Sequence, residues 1–151
     1  MPVNIKITKP EEEQALMTIL TSGKEWADFE ATEEGKKALK HIYNMLGNDV
    51  DFWASLPAMP DAQQLWDFIN PLGCHILSAP WDEDSARGKR IWTSSLAGNL
   101  DPAPQQSRVV LTKQKQKYAV NPETGMPNVI IDDMDRYLKP WAEAGGIGIK
   151  H

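Results

Sequence analysis

The stretch Val129-Ile130-Ile131-Asp132-Asp133 does most to narrow what this chain can become. Three consecutive β-branched residues make a short, wholly apolar run, which reads as a strand buried on both faces, as in a parallel sheet. Asp132 and Asp133 then stand at its carboxyl end, where ligands bind in open α/β sheets. Adjacent carboxylates repel each other, and a bound cation such as Mg2+, which favours oxygen ligands, relieves that repulsion. A structural reading competes with this one: either aspartate caps the helix that follows. Taken alone, the stretch leaves both readings open.

Other runs are spaced for a sheet of the same kind. Residues 15–21 read as a first buried strand closed by Ser22-Gly23, or as the end of a helix begun by the preceding glutamates. Thr32 is a good N-cap for a helix with Glu33 and Glu34 in its first turn, Leu39, Ile42, Tyr43 and Leu46 on one face, and Gly47 at its end. Residues 51–57, rich in aromatics, read as irregular. Pro60-Asp61 opens another helix, with Leu65, Trp66 and Ile69 facing inward and Pro71 ending it; Asp61 and Gln64 have capping-box spacing. Residues 74–78 form the second expected strand, 81–84 an acidic loop, and Ser85 to about Ala97 a helix carrying Arg87, Lys89 and Arg90. A linker with Pro102 and Pro104 leads to the third strand, residues 108–112. The basic run Lys113, Lys115 and Lys117 and a turn through 121–125 precede the Asp-Asp strand. A helix to about Ala144, then Gly145-Gly146 and a short edge strand at 147–149, close the chain. Strands alternating with helices predict an α/β fold, a three-layer α/β/α sandwich around a parallel sheet.

Composition bounds the function. A length of 151 residues fits one domain, taken as 15–151 behind a polar N-terminal arm at 1–14. The 21 acidic against 16 basic residues give a net charge of −5, which argues against a general nucleic-acid binder. A single cysteine, Cys74, cannot form an internal disulfide and reads as a small core residue rather than a nucleophile. No apolar stretch approaches the ~18–20 residues of a membrane span, and the N-terminus lacks a signal-peptide pattern, so a cytoplasmic protein with no membrane partner is expected.

The polar residues at strand ends form a set. Ser78 ends the second strand, Thr112 to Lys115 follow the third, and Asp132-Asp133 ends the fourth. In a parallel sheet these ends share one edge. A hydroxyl, an ammonium and a metal-binding carboxylate pair are what a phosphate group needs: a donor, a charge neutraliser and a cation. Each also has a plain explanation. Ser78 can serve only its own turn, Lys115 can be one of three solvated lysines, and His75 reads as a core or edge histidine.

The order of an apolar strand ending in Ser, a later Lys, and an apolar strand ending in Asp-Asp resembles the haloacid dehalogenase superfamily. More narrowly it is similar to the 5'(3')-deoxyribonucleotidases, including versions encoded by phages. The segments that carry the resemblance are Phe52-Trp53-Ala54-Ser55-Leu56-Pro57 with Met59-Pro60-Asp61, His75-Ile76-Leu77-Ser78-Ala79-Pro80, Gly88-Lys89-Arg90-Ile91-Trp92, Arg108-Val109-Val110-Leu111-Thr112, Val129-Ile130-Ile131-Asp132-Asp133 and Lys139-Pro140-Trp141 with the glycine-rich tail. The resemblance covers roughly residues 50–150 and implies a Rossmann-like sheet with residues 30–60 as a reduced helical cap. It implies that Ser78 donates to a phosphoryl group, that Lys115 neutralises that group, and that Asp132 and Asp133 form the Mg2+-binding pair. Lys89 falls near a second family lysine close to the phosphate, and Ala79 stands where many relatives have a second hydroxyl.

The front of the chain departs from that pattern. The family ends its first strand in Asp-x-Asp-Gly, whose first aspartate attacks phosphorus and whose second transfers protons. Here Thr21 occupies the nucleophile position and Gly23 the acid–base position. A competing register reads Asp28-Phe29-Glu30-Ala31-Thr32 as a variant motif with Asp28 as nucleophile. Three function classes follow: a catalytically impaired nucleotidase-like protein that binds phosphate, a nucleotide or a protein partner; an active Mg2+-dependent nucleotidase or phosphatase; and an interaction protein without a ligand.

Overall fold

The computed structural model describes residue 28 and residues 31–151. The expected arm at 1–14 and the expected strand at 15–21 lie outside the described residues. The fold is mixed α/β, and the chain divides into two compact units, the first running to Cys74 and resuming at Pro80–Arg108, the second made of His75–Ala79 and Val109–His151. The sequence reading took 15–151 as one domain.

The described part of the first unit is helical. Helix α1, Glu33–Gly47, starts where Thr32 accepts a hydrogen bond from the Gly35 amide at 3.0 Å, and buries Ala38, Ile42 and Leu46 along one stripe. The stretch expected to be irregular instead forms a short helix α2, Val50–Ala54. Asp49 caps it, its carboxylate accepting from the Phe52 amide at 2.9 Å. Helix α3, Ala62–Ile69, has Asp61 at its N-cap without the expected side-chain capping bond; it ends before Pro71, as expected, and the chain continues as a 3-10 turn at Asn70–Leu72. Helix α4, Glu83–Thr93, begins two residues earlier and ends four earlier than its sequence pattern predicts. A reciprocal box between Asp82 and the fully buried Ser85 fixes its start.

Tryptophan indoles tie these helices to carbonyls elsewhere in the unit. Trp53 donates to Leu46 O at 2.8 Å, Trp92 to Leu56 O at 2.7 Å and Trp66 to Pro102 O at 2.7 Å. The first of these adds to the Asp49 amide, which donates to the same carbonyl at the end of α1. Helix α2 packs on α4 through Gly88, where a Cβ would stand 2.5 Å from Trp53 Cβ and 2.6 Å from Val50 O. Cys74 is half-buried rather than a core residue, and its carbonyl accepts from Arg108 Nε at 2.7 Å.

The second unit carries the strands as two parallel pairs. β1 (Ile76–Ser78) pairs with β2 (Val109–Leu111), with Ser78 opposite Leu111. β3 (Val129–Asp132) pairs with β4 (Ile147–Lys150), with Asp132 opposite Lys150. Helix α5, Asp135–Glu143, crosses from β3 to β4. Its buried Trp141 forms the core with Ala119 and Ile130, and Leu77 and Leu138 pack against them. Gly145, at φ 98°, makes the turn back, and a Cβ on Gly146 would overlap the Trp141 indole. The expectation that β3 is buried on both faces is corrected. Ile130 and Gly148 face α5, whereas Val129, Ile147 and Ile149, on the other side, stay about half exposed.

Candidate functional site

Asn128 sets the position of β3. Its amide donates to Ala119 O at 2.8 Å and its side chain to Tyr118 O at 2.8 Å, while its carbonyl accepts from Ile147 N at 2.9 Å and Trp141 Nε1 at 3.2 Å. The 3-10 turn Lys115–Tyr118, β4 and α5 are thereby joined at the start of β3, and Asp132 is carried to its far end.

Lys115 arrives from the other pair. After β2, Thr112 Oγ1 accepts from the Gln114 amide at 3.0 Å and bends the chain into the 3-10 turn, which Ala119 seats in the core. Lys115 is 6 % exposed, whereas Lys113 and Lys117 are exposed. The reading of Lys115 as one of three solvated lysines therefore falls.

The Lys115 ammonium donates to Asp132 Oδ2 at 2.7 Å, both side chains being 8 % exposed. Asp132 Oδ1 accepts from the Met134 amide at 2.9 Å. The ammonium also lies 4.0 Å from the centre of the Tyr137 ring, whose electron-rich face attracts a cation, and the Arg136 guanidinium is 5.2 Å from the same ring. Asp133, next along, is exposed. Neither aspartate caps α5, whose N-cap is Met134 with no side-chain capping bond; Asp132 instead accepts from the Met134 amide and pairs with Lys115.

The Ser78 carbonyl accepts from the Thr112 amide at 2.8 Å, and after two intervening residues the chain reaches Lys115, so the end of β1 is tied to the segment that leads into the Lys115 turn. Lys89 belongs to the first unit, where its ammonium lies 5.1 Å from the centre of the Trp53 ring. Asp28 is helical and exposed, and Thr21 and Gly23 lie outside the described residues. His75 is exposed.

Among the described residues no three His, Cys, Asp or Glu side chains gather to hold a metal. Of the expected metal pair, Asp132 has both oxygens engaged within the chain, by the Lys115 ammonium and the Met134 amide, and Asp133 is exposed.

The chain matches no family model, no curated protein and no solved structure. No helix among the described residues is long and apolar enough to cross a membrane.

Tyr137 and the Met134 amide are members of this site that sequence reasoning missed. The signal was present in outline: a helix starting directly after a strand that ends in Asp132 places its first-turn side chains beside that strand's end.

Proposed function

We propose that this is a haloacid-dehalogenase-like, nucleotidase-like protein that keeps a phosphate-binding edge and acts by binding a nucleotide rather than by turning it over. In this reading the two parallel pairs belong to one sheet of a three-layer sandwich. The observation that carries the proposal is the buried Lys115–Asp132 pair, with Asp132 at the end of β3 and Lys115 in the turn after β2, the strand paired with that of Ser78. A lysine so deeply placed gains little as a surface charge and much as a group that meets an anion in a low-dielectric setting. Ser78 supplies a donor to the phosphoryl group, Lys115 neutralises it, and Asp132 with Asp133 holds Mg2+. Bound there, Mg2+ supplies charge compensation for the phosphoryl oxygens. Thr21 and Gly23 stand where the resemblance calls for a nucleophile and a proton-transfer group, and neither side chain can do that work at neutral pH.

Calorimetric titration with deoxynucleoside monophosphates in the presence of Mg2+ tests the proposal. Binding is expected in the natural chain and its loss in Lys115→Ala. No binding to the natural chain, or undiminished binding in the variant, contradicts it.

A further inference from the structure

Strand β4 is the outer member of its pair, and among the described residues no strand lies on its far side. Its backbone alternates. The Ile147 amide donates to Asn128 O at 2.9 Å and the His151 amide to Asp132 O at 3.1 Å, so the odd-numbered residues turn their backbone toward β3. Gly148 and Lys150 therefore turn theirs outward. The side chains alternate as well. A Cβ on Gly148 would meet Leu138 of α5, whereas Ile147, Ile149 and the neighbouring Val129 are 50 %, 49 % and 56 % exposed on the opposite face. We propose that β4 is a self-association edge, on which a second copy of this chain pairs antiparallel about a two-fold axis at Gly148. The inference stands apart from the phosphate-site reading.

The strand complements itself, as a two-fold interface requires. An axis at Gly148 lets the two Gly148 residues exchange amide-to-carbonyl bonds and brings each Lys150 amide to the other copy's Gly146 carbonyl. The Gly146 amide, already bonded to Trp141 O at 3.0 Å, is not needed. Ile147 then faces the second copy's Ile149, a non-hydrogen-bonded pair whose side chains approach closely in an antiparallel ladder. The charges match too. On the α5 side, Lys150 of the second copy stands opposite Gly146, which has no side chain, beside the carboxyl end of α5, whose last residue, Glu143, is exposed. A cation there meets both a carboxylate and the negative end of the helix. The Lys150–Asp135 pair within each chain is exposed and worth little, so it does not hold the ammonium back. A second copy thus brings a matching edge, a matching apolar row and a counter-charge at once, and extends a two-stranded sheet, a marginal unit by itself, to four strands. Strands this short bury less than the about 800 Å² per partner of a standard interface, so the dimer is a weak one.

Sedimentation velocity of the natural chain, from micromolar to millimolar concentration, tests the proposal beside Ile149→Lys, which puts a charge into the apolar row. The mass of the natural chain is expected to rise from 16.9 kDa toward twice that, and the variant to stay at the monomer mass. Register is read by mixing Ile147→Cys and Ile149→Cys chains, each also carrying Cys74→Ser, under mild oxidation. The mixed disulfide is the expected product, because like pairings lie on the diagonal, beyond the about 7 Å Cα separation that a disulfide spans. A natural chain that stays monomeric at every concentration leaves the edge to another occupant and overturns the proposal, and this arm needs no variant to fold. Undiminished association of a folded Ile149→Lys overturns it as well, and so does a preference for like disulfides over the mixed one.

Discussion

Two lysines, one in each unit, hold their ammonium groups against an aromatic ring, yet they are built to different ends. In the first unit Lys89 lies 5.1 Å from the centre of Trp53, half-buried on the surface of α4. In the second unit Lys115 lies 4.0 Å from the centre of Tyr137, buried and bonded to a buried carboxylate. The first unit is held by indole-to-carbonyl hydrogen bonds and a glycine-mediated helix contact, and buries no lysine or aspartate among the described residues. A helical scaffold needs no buried charge for such packing. Replacing a buried ion pair by well-fitted apolar side chains is often neutral or stabilising, so packing alone gives little reason for the second unit to carry one. The contrast makes the buried Lys115–Asp132 pair the feature on which the proposed function rests.

The comparison breaks most sharply at the ion pair. Lys115→Met leaves Asp132 buried without its counter-charge and is expected to lower unfolding stability by about 3–5 kcal/mol, read by urea denaturation followed through tryptophan fluorescence. A loss under 1 kcal/mol would show that the carboxylate reaches water and that the burial argument is wrong.

The two close-packed glycines come next. Gly88→Ala drives a methyl group into Trp53 Cβ and the Val50 carbonyl, and Gly146→Ala drives one into the Trp141 indole. Each is expected to cost about 1–3 kcal/mol by overpacking. Backbone yields less readily than a side chain, so Gly88→Ala is expected to be the costlier of the two. The reverse order in thermal melts would show the first unit to be the softer one.

The smallest effect sharpens the contrast between the lysines. Lys89→Met removes a partly solvated cation from the face of Trp53, and the loss of that contact is expected to cost about 0.5–1 kcal/mol. A cost equal to that of Lys115→Met in the same denaturation series would erase the distinction between the two lysines.

The strands were legible because short apolar runs are local signals. All four strands found among the described residues fall on their expected stretches, within a residue or two at the ends. Likewise Thr32 marked the start of α1 through its own hydroxyl. Helix α2 was not legible, because its aromatic stretch looked irregular and the deciding bond comes from Asp49, just before it. Which of Lys113, Lys115 and Lys117 is buried was not legible either. The three alternate identically in sequence, and the choice is made by Ala119 seating the turn against Ile130 and Trp141. The second unit is discontinuous, residues 75–79 joining 109–151 through β1–β2 pairing, and no local pattern announces such a join. The exposure of Val129 escaped notice because an apolar run does not say which face a helix will cover.

Whether the proposed site binds a nucleotide without turning it over is measured directly by phosphate release from deoxynucleoside monophosphates with Mg2+. Positioned acid–base help alone is worth about 10²–10⁴ in rate, and the proposed resemblance puts Gly23 where that group would stand and Thr21 where the attacking carboxylate would stand. The expected result is release no faster from the natural chain than from Lys115→Ala. Robust Mg2+-dependent release by the natural chain, abolished in Asp28→Asn, would overturn binding without turnover and show a living enzyme that uses Asp28.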